Sequence, residues 1–434
     1  MSEATDHRPF GVWTASALVV GGMVGAGIFV QPAQLAPYGW TGVAAWLVAI
    51  PGAMLLAYVL SRLTAARPQA TGVVDIVGEA LGPLPGVLVG WSYWVGIVSA
   101  NAIIALTAIR YAATFFPSMT ASPFATAVWA SGLLWALTIL NLGGAKGAGR
   151  FQVLTTILKL LPLIAVVLIL LNLTITDPGR FAESAQPAFE PGNFTTALTL
   201  AFFPMVGFES ASLAAERVRD PARNVMRATL WGTGLTGLFY VIISNGIDFA
   251  MPPQLVAASD APIAMFVESF MGRGASLIVA AFASIAALGC LNGWVLMQGE
   301  VPLGMARAGL FPEYLARTSA RDVPTFAVIV SSILATILIL SGAIPGLTGM
   351  LTFMLQLTTA ATVWLYVGAC VAAFRLDVAR VPAMAGLGIA AWVLWGSGIQ
   401  PLLLSIALML TALPLYWLRP KVSSAGSSAA VAGH

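Results

Sequence analysis

The chain has 434 residues, 59% of them hydrophobic and 9% charged, with a mean hydropathy of +0.91 and a net charge of +3; ordinary soluble domains carry roughly 25% charged residues, so the composition is that of an integral membrane protein. The only histidines, His7 and His434, stand at the ends, and the two cysteines, Cys290 and Cys370, lie in apolar runs, which leaves no residues for a metal site, a Ser-His-Asp set, a HExxH protease or a disulfide framework. Basic residues scattered singly make no nucleic-acid patch, and without a Walker A sequence there is no nucleotide drive, so no cofactor or metal is expected.

At about 20 apolar residues per crossing, the sequence predicts an all-α protein of twelve spans, near 12–33, 40–62, 84–115, 123–143, 151–173, 195–215, 225–250, 274–305, 324–342, 348–374, 382–398 and 400–418. Turn chemistry separates them, as in "RPQATG", "PSMTASP", "TDPGR" and "RDPARN". Of the 20 Lys and Arg residues, Arg110, Arg180 and Arg273 fall on one side, Lys159 lies within a span, and the others gather on the side of the termini. The positive-inside rule then places both termini in the cytoplasm of a cell whose inner or plasma membrane holds the chain. Residues 1–11 are a cytoplasmic start and 419–434 a cytoplasmic tail, with the polar, small-residue end "VSSAGSSAAVAGH" expected to be disordered.

The first span carries "GGMVGAGIF" at 21–29, with Gly21, Gly22, Gly25 and Gly27 at its middle. Each mid-helix glycine costs about 1 kcal/mol relative to alanine. The sixth span, "LTLAFFPMVGFESASLAAERV", has Pro204, which removes a backbone donor, and Gly207 two residues before the acid Glu209. "MVG" occurs in both, at 23–25 and 205–207. Five spans separate the copies, so the two segments run through the bilayer in opposite directions, and interrupted helices in matching positions of opposed halves point to a transporter site. An unwound helix at the midplane frees amides and carbonyls that lipid cannot satisfy. An amino acid satisfies both, its carboxylate on amides that open a half-helix and its ammonium on carbonyls that close another. The competing reading is close helix packing through the Gly21-x-x-x-Gly25 pattern.

"GGMVGAGIFVQPAQLA", "YWVGIVSANAIIALTAIRYAATFFP", "VGFESASLAAERVRDPARNV" and "GCLNGWVLMQGEVPLGMARAGLFP" resemble the basic amino acid/polyamine antiporters of the amino acid, polyamine and organocation superfamily, nearest the bacterial arginine/agmatine exchangers. The likeness runs from about Phe10 to Pro420. It implies a 5+5 inverted-repeat fold with discontinuous first and sixth helices: one repeat over 12–173, an inverted one over 195–374, and peripheral helices over 382–418, often as a homodimer in the lipid bilayer. It also implies a small-molecule amino acid or amine as partner. By that likeness the carboxylate sits around Gly25, Ala26 and Gly27, the ammonium on carbonyls of Met23, Phe203 and Val206, and the side chain against Asn101, Ile104, Trp294 and Thr358. Trp294 becomes a lid, and Tyr93, Glu209 and Tyr366 a cytoplasmic gate.

The sequence departs from the arginine/agmatine pattern at Gly22 and Ala26, where that pattern has Asn and Ser, and at Phe203, where it has Trp. Two polar contacts and one large aromatic face are absent. Lys159 lies nine residues past Arg150, about 13 Å into the bilayer at 1.5 Å per residue. A mid-membrane ammonium costs at least roughly 3 kcal/mol and needs partners. Neighbouring proton-coupled and exchanger-type branches carry a similar lysine where sodium-driven relatives bind the ion. By that likeness the Lys159 ammonium replaces sodium on carbonyls near Gly22 and couples transport to a proton.

The expected function is secondary amino acid antiport, of one amino acid for another or for its amine, by alternating access and without enzymatic chemistry. A proton-coupled permease or exporter for neutral or apolar amino acids is the alternative, carried by Lys159, Ala26 and Phe203. A non-transporting scaffold is the third reading.

Overall fold

A computed structural model describes residues 11–70, 72–143, 158–184, 186–213, 218–344 and 350–419. The amino-terminal segment, the start of the fifth span at 151–157, the basic residues Lys146, Arg150, Arg217 and Lys421, the side chain of Ala26 and the tail from 420 onward lie outside the described residues.

Among the described residues the regular elements are helices. The first span is two of them, α1 (Val12–Met23) and α2 (Ala26–Leu35). Val24, with ψ 89°, and Gly25, with φ −142° and ψ −148°, leave the helical region between them. Then come α3 (Trp40–Ala66), α4 (Val73–Leu81), α5 (Pro83–Ala112), α6 (Pro123–Leu142) and α7 (Leu160–Thr176). The expected sixth span also breaks: α8 (Pro191–Phe202) tightens into a 3-10 turn at Phe203–Met205, Gly207 takes φ +114°, and α9 (Ser210–Leu213) resumes. Pro204 removes the amide that an α-helix would use, which is why the chain tightens there. The remaining long helices are α10 (Pro221–Ala250), α11 (Pro262–Arg307), α12 (Thr325–Ser341), α13 (Met350–Arg375), α14 (Arg380–Gly396) and α15 (Ile399–Leu410).

Among the described residues eight helical segments are long and apolar enough to cross a membrane, and α7, α12 and α14 are shorter apolar helices. Two elements differ from the sequence expectation. The stretch before the third span holds α4, whose Val73, Val74, Ile76 and Val77 are buried against α5 and α13; its nine residues are too few to cross a bilayer, so their hydropathy carries no span signal. Likewise α11 begins at Pro262 rather than near 274, with a kink at Gly272 where φ is +78°.

The core is built on α5, which packs against both α11 and α13, while α10 packs on α1 and α3. Its polar residues face inward: Asn101, Lys159, Glu209 and Gln298 are fully buried. Large apolar side chains such as Ile175, Trp231 and Trp395 point outward. In water this arrangement would be unfavourable, and in lipid it is the stable one, because hydrocarbon accepts the apolar rim and interior partners accept the polar groups.

Candidate functional site

The glycines of the first span are placed where the two broken segments cross. A Cβ on Gly27 would stand 2.7 Å from Pro204 Cβ and 2.8 Å from its Cα. One on Gly207 would stand 2.8 Å from the backbone carbon and oxygen of Gly22. Gly22 itself faces Ser210, and Gly25 faces Cys290, whose Sγ would be 2.1 Å from an added Cβ. Close packing and an open backbone are therefore one device here: small residues let the breaks touch, and the breaks then expose their polar ends to each other.

Between the breaks lies a small cavity of about 30 Å³, well below the roughly 300–1,000 Å³ usual for ligand sites, so its walls must part to admit an amino acid. Met23, Gly25, Gly27, Phe203 and Val206 line it from the breaks, and Ile104, Trp294 and Thr358 from α5, α11 and α13. Eight residues expected from the sequence thus meet at one cavity, and Gly22 joins them. The amides opening α2 have no side-chain cap, so its N-terminus is free to receive an anion. On the facing side, the Val206 amide donates to the Phe203 carbonyl at 3.1 Å.

Asn101 is the exception. It is fully buried and turned from the cavity, its Nδ2 donating to Gln298 Oε1 at 2.7 Å, and Ala100 lines the wall instead. One helical position separates the two, about 100° of rotation, so a polar residue in the right turn still faces the wrong way. Thr358 donates to Ser99 Oγ at 2.8 Å. Sequence reasoning also missed Tyr240 of α10, whose hydroxyl donates to the Met23 carbonyl at 2.6 Å. The hint was a tyrosine at the middle of the seventh span.

Lys159 immediately precedes α7, fully buried, and its Nζ donates to the Gly21 carbonyl. A carbonyl one turn before a helix break has lost its amide partner further on, and the ammonium takes that place.

Glu209 receives three hydrogen bonds. Tyr93 of α5 donates to Oε1 at 2.9 Å, Tyr366 of α13 to Oε2 at 2.9 Å, and the Gly207 amide to Oε2 at 3.0 Å. Phe208 stacks on Tyr366 with ring centroids 4.9 Å apart. The carboxyl thus ties the second break to two long helices. Glu209→Gln puts an amide in front of three donors, a loss of about 2 kcal/mol. The expected result is a roughly 30-fold drop in hydrogen-exchange protection of the Gly207 amide, measured in the reconstituted protein.

Comparison with known proteins follows the same lines. The family model for amino acid permeases matches residues 10–432. The cadaverine/lysine antiporter of Escherichia coli K12 is 29% identical over 341 residues, covering 77% of this chain and 75% of that protein. A putative arginine/ornithine antiporter of Bacillus subtilis is 28% identical over 366 residues, 77% of each chain. The putrescine transporter PotE of Escherichia coli K12 is 25% identical over 385 residues, 88% and 87% of the two chains. With broken apolar helices, a buried polar interior and a family match along nearly its whole length, the chain belongs to the amino acid permease family and is a multi-pass membrane protein.

Proposed function

We propose that this protein exchanges amino acids, or an amino acid for its amine, by alternating access through twelve spans arranged as two inverted five-helix halves. Both termini are taken as cytoplasmic, as the distribution of basic residues favours. The observation that carries the reading is the cavity between two helix breaks, with an uncapped helix N-terminus on one side and a carbonyl-rich turn on the other. A substrate carboxylate binds the amides of Ala26 and Gly27, and its ammonium the carbonyls of Met23, Phe203 and Val206. The side chain then meets Ala100, Ile104, Cys290, Trp294 and Thr358. That wall is mostly apolar, which suits a methylene chain.

Lysine, ornithine, arginine and their amines, the compounds of the relatives' names, are the first candidates, with leucine and methionine beside them. Proteoliposomes preloaded with each in turn, and supplied with labelled substrate with and without a pH gradient, test the reading. Uptake only against a preloaded compound is the expected result. Uptake into empty vesicles driven by pH supports the proton-coupled permease, the reading that Lys159 favours. No stimulation by any compound would leave only a scaffold.

Trp294, 9% exposed at the cavity wall, is the lid in this scheme. Trp294→Ala removes an aromatic face worth about 2 kcal/mol of contact and is expected to weaken substrate binding roughly 30-fold. Equilibrium binding of the exchanged substrate measures it.

A further inference from the structure

The buried face of α10 carries a file of polar side chains that the cavity does not use. Thr229, Thr233, Thr236, Tyr240, Ser244 and Asp248 follow one another at intervals of three or four residues and are at most 3% exposed. That spacing holds them on one slowly winding face. The opposite face presents Trp231, Leu235, Leu238 and Ile242 outward. The file therefore looks into the protein, where α10 packs on α1, α2, α3 and α7.

Tyr240 is tied to the Met23 carbonyl. Among the described residues, the other five each leave an oxygen with no protein partner: Thr229 Oγ1, Thr233 Oγ1, Thr236 Oγ1, Ser244 Oγ and Asp248 Oδ1. Helical hydroxyls ordinarily bond the carbonyl four residues back, as Thr107, Thr138 and Thr359 do in this protein. A polar group left unsatisfied within a bilayer costs several kcal/mol, and total folding stabilities are only about 5–15 kcal/mol. Five dry orphans on one line are too costly. Water fits, since neighbouring side chains on one helix face lie about 5–6 Å apart, a gap that one bridging water closes.

We propose that the buried face of α10 is a hydrated proton path, running from Asp248 at the outer end past Ser244 to Tyr240 and the first helix break, where Lys159 waits on the Gly21 carbonyl. Asp248 and Tyr240 are eight residues apart, about 12 Å along the helix. A proton from outside binds the Asp248 carboxylate. Its O–H bond breaks as a neighbouring water takes the proton, each water or hydroxyl then releases one proton as it accepts another, and the neutral Lys159 amine gains the last as a new N–H bond. The carboxylate is restored, and no electrons are exchanged. Thr236, Thr233 and Thr229 continue the file toward the other face of the membrane.

The charged groups around Asp248 are few. α1 and α2 carry no ionisable residue, α3 has Tyr58 and Arg62 near its far end, and Lys159 stands at the far end of α7. At the near end, Tyr38 follows α2, Asp177 is exposed, Arg180 donates to the Ala250 carbonyl and covers Phe270, and Arg110 pairs with Asp260. Gln186 donates to the Asp248 backbone carbonyl at 2.7 Å.

The path rests on the coupling role of Lys159, and the test separates the two. Full-length protein in proteoliposomes is followed by labelled-substrate exchange and by a lumenal pH dye. Asp248→Asn is expected to keep exchange within about twofold and to lower substrate-linked proton entry at least tenfold, as loss of a functional intramembrane acid would. Ser244→Ala, judged by the same ratio, serves if Asp248→Asn does not assemble. Pulsed hydroxyl-radical labelling in 18O water is expected to mark Tyr240, which bulk solvent does not reach. Unlabelled Tyr240, or wild-type proton entry in both variants, overturns the path. Proton entry lost in Lys159→Ala but intact in Asp248→Asn overturns the path and keeps the coupling role. The converse pattern keeps the α10 file as the proton route but overturns Lys159 as its end point, and a wild type that moves no protons overturns both.

Discussion

Gly207→Ala is expected to reduce substrate exchange by about 100-fold or more, equivalent to roughly 3 kcal/mol. Two costs combine. The residue holds φ +114°, a conformation that L side chains rarely adopt, and the new Cβ would meet the Gly22 backbone at 2.8 Å and the Met23 amide nitrogen at 3.1 Å. Backbone atoms do not rotate aside as a flexible side chain does, so the crossing of the two breaks must widen. Gly27→Ala, pressed on Pro204, is expected to act in the same way. Gly388→Ala is the control, because nothing stands within 4 Å of its added Cβ on α14. Initial exchange rates per amount of reconstituted protein measure all three. A Gly207→Ala protein exchanging at the wild-type rate would show that the contact between the breaks has no part in transport.

Lys159→Ala is expected to flatten the dependence of transport on pH and to slow exchange about 10- to 100-fold. It removes a buried ammonium and leaves the Gly21 carbonyl without its donor beside the break. Lys159→Met keeps most of the side-chain volume without the charge, so it isolates electrostatics from the cavity left by alanine. Both variants should lose the pH response, and only the alanine should lose much stability in a thermal melt. Since the ammonium occupies the carbonyl that a cation would otherwise seek, wild-type transport should also be unchanged when choline replaces sodium. A rate-against-pH curve for Lys159→Ala that overlays the wild type would remove the coupling role.

Much of the site was legible because backbone chemistry writes itself into residue types. Pro204 lacks an amide and the glycines lack a Cβ, so broken helices at 24–25 and 203–209 follow from local chemistry alone. Lys159 was legible for a related reason, since an ammonium at that depth must find carbonyls, and an interrupted helix is where unpaired ones occur. The residues whose role depends on direction were not legible. Asn101 and Ala100 are neighbours in the chain, yet Ala100 lines the cavity while Asn101 serves Gln298. Tyr240 and Asp248 are isolated polar residues in an apolar span, and the role of the face they share depends on how α10 packs against α1 and α3. The short helix α4 was not legible as a span because its nine residues are too few to cross a bilayer.

By itself the sequence determined that this chain lives in a membrane, where its apolar spans lie, and where two of them are interrupted, because hydropathy, proline and glycine act within a few residues of where they stand. Only the tertiary structure decided which freed groups face one another: Gly27 on Pro204, Gly207 on Gly22, Lys159 on Gly21, and two tyrosines on Glu209. Those pairings join residues far apart in the chain, Glu209 lying 116 positions from Tyr93 and 157 from Tyr366. They are set by helix rotation and crossing, which long-range packing fixes and no local pattern encodes.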